Sequence, residues 1–209
     1  MSKPARPTLL GLLMAGIIPV LGTSTAMAVS IDFADGSWNG AHGNTNFSQV
    51  VSGITVGLSA TGGNMTVNPG DGLGINNDEI TSRTTEILTI SFAGPVTLQT
   101  VDLTDLYRLD FIQNFSLRDE RGWYSINGGS PSSFTAVGLP LITNGELTLN
   151  LNATDVHSIS FWANNDRGSD YSVRGLTYNS VPEPSTLLLL GFGFIAAAML
   201  YRRGYFPSI

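Results

Sequence analysis

The chain has no cysteine, two histidines and one lysine, Lys3, in 209 residues. Without cysteine there is no disulfide, although small exported domains often rely on them. The fold must be held by its apolar core, or by core plus bound ions. His42 and His157 alone cannot build a closed zinc site. No Gly-x-Ser-x-Gly elbow supports a serine nucleophile. Between residues 29 and 180, six arginines face fifteen acids, a net charge of −9. Such a surface repels nucleic acid and anionic headgroups, so neither is a partner; divalent cations or neutral sugars suit it better. That segment also lacks a ten-residue run of helical period, which excludes a helical bundle.

Long apolar runs occur only at the two ends. Lys3 and Arg6 precede an apolar stretch from Thr8 to Leu21, followed by Ala26-Met27-Ala28. A basic start, a short apolar core and a small-x-small exit predict a secretory signal peptide over residues 1–28, cut after Ala28 by signal peptidase. At the other end, Thr186 to Tyr201 is a helix-compatible apolar run that reaches roughly 24 Å, close to a hydrocarbon core of about 30 Å. Arg202 and Arg203 follow it and, by the positive-inside rule, stay cytoplasmic, which leaves the preceding domain outside. Pro182 and Pro184 hold Val181-Pro182-Glu183-Pro184 extended beside the membrane, a shape that a processing enzyme can grip.

Pro182-Glu183-Pro184, the apolar run and the Arg202-Arg203 pair together resemble the PEP-CTERM sorting signal of Gram-negative bacteria. The resemblance implies that residues 181–209 are a sorting segment and that the partner is exosortase, a membrane-embedded processing enzyme. It implies an inner-membrane-anchored precursor that passes to the cell surface or extracellular matrix. Gly72-Leu73-Gly74 and Asp78-Glu79-Ile80, with the strand pattern after them, resemble β-sandwich ectodomains of the same proteins.

Residues 29–180 form the domain between these ends. Twenty-four glycines in the chain and repeated short alternating runs predict an all-β fold, a two-sheet, jelly-roll-like β-sandwich. The expected strands are Gln49–Leu58, Glu86–Phe92, Val96–Leu103, Phe111–Leu117, Phe134–Val137, Glu146–Leu151, Val156–Trp162 and Tyr171–Tyr178. Alternation places Leu88, Ile90 and Phe92 on the core face, with Leu147, Leu149 and Leu151 on another. Ala93-Gly94-Pro95 and Asn127-Gly128-Gly129 read as turns.

Chemistry is less sharply marked. Asp71, Asn76, Asp78 and Glu79 stand in a glycine-rich loop and offer the oxygens that calcium prefers; the spacing is not that of an EF-hand. Asp32 and Asp170 make a second candidate pair. Trp38, Trp123 and Tyr124, next to turn-forming glycines, offer flat rings for an extracellular polysaccharide. Asp102 and Asp105, Asp119 and Glu120, and Asp78 and Glu79 are the carboxylate pairs a glycosidase would need, but nothing selects one of them. The reading is a surface or matrix protein without catalysis of its own, with a calcium-dependent carbohydrate-binding module as the alternative.

Overall fold

A computed structural model describes residues 27–82, 85–108, 110–112, 116–137, 145–164, 168–180, 191–195 and 198–199. Thirteen strands run in chain order: β1 (Ala28–Asp32), β2 (Asn46–Val51), β3 (Ile54–Thr61), β4 (Met65–Asn68), β5 (Gly72–Ile75), β6 (Ile80–Thr81), β7 (Ile87–Thr104), β8 (Asp110–Ile112), β9 (Ser116–Arg118), β10 (Arg121–Ile126), β11 (Ser132–Thr135), β12 (Leu147–Ala163) and β13 (Asp170–Ser180). A 3₁₀ turn, Gly36–Ala41, follows β1. The all-β expectation holds. Eleven strands belong to one hydrogen-bonded sheet, and β8 pairs with β9 in a separate ribbon.

The sheet curls because its longest strands change partners. β12 runs along one edge of β7. On the other edge, β3 pairs with Ile87–Phe92 and β13 pairs with Val96–Thr104. β13 in turn holds β1, β5 and β6 on its far side. One contiguous apolar core fills the curl. Leu88, Ile90 and Phe92 face it, as their alternation predicts, and so do Ile159, Phe161, Val173 and Leu176. Leu147, Leu149 and Leu151 are only half-buried but pack against the same core.

Several expected elements differ. Gln49–Leu58 is not one strand but most of a β2–β3 hairpin, turned at Ser52 and Gly53 with φ of 49° and 83°. Two positive φ values in a two-residue loop match the twist of the flanking strands. Ala93-Gly94-Pro95 is not a turn; β7 passes through it where the neighbouring strand changes. The segments Glu146–Leu151 and Val156–Trp162 likewise join into β12, with register shifts between Asn150 and Ser158. Phe111–Leu117 is divided between β8 and β9. Asn127-Gly128 does turn, with φ of 52° and 67°.

Candidate functional site

The aromatic candidates separate on burial. Trp38 is no exposed platform: it is 2% exposed, edge-on to Phe33 at 4.8 Å and to Phe47 at 6.2 Å. Asp35 caps the 3₁₀ turn by accepting from Ser37 N at 2.8 Å, which fixes the turn that drives the indole inward. Tyr124 is no exposed platform either. It lies opposite the buried Phe161 and packs against the core. Trp123 and Tyr124 are neighbours within β10 rather than residues after a turn, so their side chains point to opposite faces.

Trp123 does face out, and its cross-strand partner is Trp162. Both half-buried indoles line a cavity of about 330 Å³ with Thr85, Glu86, Ile87 and Asn164. Trp123 Nε1 donates to Asn164 Oδ1 at 3.3 Å. Glu86 stands behind the groove with its carboxylate engaged: it accepts from Asn76 Nδ2 at 2.6 Å and from Thr81 N at 2.7 Å. Alternation in Phe161-Trp162 carried the signal for Trp162; its pairing with Trp123 depends on register between distant segments.

The acidic candidates regroup. The expected loop Asp71–Glu79 contains β5, paired with β4 through Val67–Leu73 and its neighbours. Asn76, at φ 62°, turns away and donates to Glu86 and to Gly62 O. Its Nδ2 is thereby engaged on the Glu86 side. Asp71 and Asp78 stay together because Asn68 Nδ2 donates to both, at 2.6 and 2.9 Å. Asp105, just after β7, reaches the Asp71 carboxyl, and Tyr107 donates its hydroxyl to Asp105 Oδ1 at 3.4 Å. Asp170 at the start of β13 faces Glu79.

Crowding changes the acidity of two of these groups. Burial, then the charges of Asp170, Asp105, Asp78 and Asp71, pushes the Glu79 carboxyl up to about 8. Burial, then Asp71, pushes Asp105 up to about 6. Among the described residues, Asp71, Asp78, Glu79 and Asp105 form no ion pair, and no three acidic or histidine side chains already converge on a point that would hold a metal. Asp32 instead accepts from Ala34 N at 2.9 Å.

Val181, Pro182, Glu183, Pro184, Arg202, Arg203 and Ala26 lie outside the described residues. Ala28 opens β1, opposite Asn179. Residues 191–195 and 198–199 are helical, and Phe192, Phe194, Ile195 and Met199 are exposed. Among the described residues no helix is long and apolar enough to cross a membrane.

β13 ends at Ser180, and the next described residues, 191–195, are helical and expose Phe192, Phe194 and Ile195. Residues 180–203 match the family model of the PEP-CTERM protein-sorting motif, so the chain carries that sorting motif behind its β domain. A search of curated proteins gave no match. Among solved structures, the chain is similar to an exo-β-1,3-galactanase from Phanerochaete chrysosporium, crystallised with galactose, at 16% identity and a TM-score of 0.31. The similarity covers 75% of this chain and 30% of that one.

Proposed function

We propose that the chain is an exported surface or extracellular-matrix protein with no catalysis of its own, processed through its C-terminal signal. Residues 1–28 are the signal peptide, 29–180 the ectodomain and 181–209 the sorting segment. The match over residues 180–203 carries this reading, because it covers the proline-glutamate-proline triplet, the apolar run and Arg202-Arg203 together. In the precursor, Thr186–Tyr201 spans the inner membrane with the arginines inside, and an exosortase-type enzyme releases or re-attaches the domain at Pro182-Glu183-Pro184. We read the curled sheet as a jelly-roll-like sandwich whose two faces are joined through β7 and β12.

Mass spectrometry of the mature C-terminus in the native host tests the proposal. A terminus near Pro182 to Pro184 is expected; an intact Ile209 would sink it. Glu183→Ala should leave export unchanged but cause full-length protein to accumulate in the inner membrane.

A second reading, a carbohydrate-binding module, is favoured by one observation: Trp123 and Trp162 lie side by side in a half-open groove. Indole faces bind the apolar face of a pyranose, and Asn164 at the rim supplies amide hydrogen-bonding groups. Titration with neutral exopolysaccharide fragments should quench tryptophan fluorescence. Trp123→Ala or Trp162→Ala should weaken binding about tenfold, ~1.4 kcal/mol, with little change in melting temperature.

A further inference from the structure

We propose that Asp71, Asp78, Glu79, Asp105 and Asp170, with the hydroxyl of Ser172 beneath them, form a calcium-binding site that joins the β4–β6 segment to β13. The decisive observation is Ser172. Its side chain is 0% exposed, and its Oγ has no hydrogen-bond partner. A buried hydroxyl left without a partner costs free energy unless a ligand satisfies it.

Register shows where that hydroxyl points. Ser172 lies directly opposite Thr104 on β7, so both side chains share a face. Thr104 Oγ1 donates to the Asp71 carbonyl at 2.6 Å, which brings the Asp71 segment onto that face. On the other side of β13, Val173 pairs with Leu73, so Gly74 falls opposite Ser172. A Cβ on Gly74 would overlap the Asp78 carbonyl oxygen. The Asp78–Glu79 peptide is therefore folded directly over the face from which Ser172 Oγ projects. Asp170, two residues earlier on the same strand, projects to the same side. Asp105 follows Thr104 and reaches Asp71.

The donors belong to three chain segments, and Asn68 Nδ2 already bridges Asp71 and Asp78 by donating to both. The carboxylates do not yet meet at one point, so binding must gather them by side-chain rotation. Irregular, all-oxygen donors on turns suit calcium, which accepts six to eight ligands in loose geometry; magnesium demands a tight octahedron and keeps its waters.

Full-length protein in mild detergent, stripped with EDTA, is titrated with calcium and followed by calorimetry and thermal unfolding. One ion should bind, and melting should rise by roughly 3–6 °C at a tenfold excess over Kd; equimolar magnesium should do much less. Glu79→Gln removes repulsion, so it should fold and melt higher than the parent in EDTA, yet lose the calcium shift. Terbium should luminesce on tyrosine excitation, and Tyr107→Phe should dim that signal. No calcium heat and no melting shift in the parent protein would overturn the site, as would full calcium affinity in Glu79→Gln.

Discussion

At Glu79 the direction of the acidity change fixes a pH dependence. The groups facing it are Asp71, Asp78, Asp105 and Asp170, with Tyr107 beyond Asp105. Its carboxyl titrates near 4.5 when unperturbed and near 8 in the fold. The folded state therefore holds a proton that the unfolded state has released, and stability falls as pH rises through that window. Asp105 acts in the same sense between 3.8 and about 6. In EDTA, the melting temperature should fall steadily from pH 5 to pH 8, and Glu79→Gln should flatten the slope. An unchanged slope in the variant would remove Glu79 as its source. The sequence exposed the acidic residues but not their grouping. Asp78 and Glu79 were visible as a loop pair, whereas Asp105 and Asp170 join them only through β7 and β13. The aromatic residues teach the same lesson. Glycines beside Trp38 suggested exposure, yet the capped turn buries it, while Trp123 gains its partner from register.

Among the elements, alternation located the strands and misjudged how they end. Proline and glycine at Ala93-Gly94-Pro95 signalled a break, yet β7 continues. Phe92 is the last residue of β7 paired with β3, and Val96 opposite Ser180 begins the β13 ladder. Pro95 occupies the gap between them, where a missing N–H breaks no ladder bond. Opposite, β12 bulges at Asn152 and Asp155, with φ of 48° and 58°. Asn and Asp tolerate this left-handed conformation best among residues with side chains, and this was the available hint in a segment that otherwise reads as two strands. Asp155→Val should therefore cost about 1–2 kcal/mol in denaturant unfolding. Asp155→Gly should be close to neutral, because its weak, exposed approach to His157 adds little.

Across the whole molecule, the first and last strands are partners: Ala28 lies opposite Asn179 and Ser30 opposite Thr177. Entry and exit of the chain therefore share one edge. With no cysteine to interfere, the pair Ser30→Cys and Thr177→Cys should form a disulfide under oxidising conditions and add about 2–4 kcal/mol of stability. Mobility on a non-reducing gel would report it, and failure to cross-link would contradict the β1–β13 register. The same topology has a consequence for timing. β13 pairs with β1, β5, β6 and β7, yet it is the last strand of the domain to be made. A chain made from its N-terminus cannot complete this sheet until residue 180 has been added, so the fold closes only at the end of the domain's synthesis.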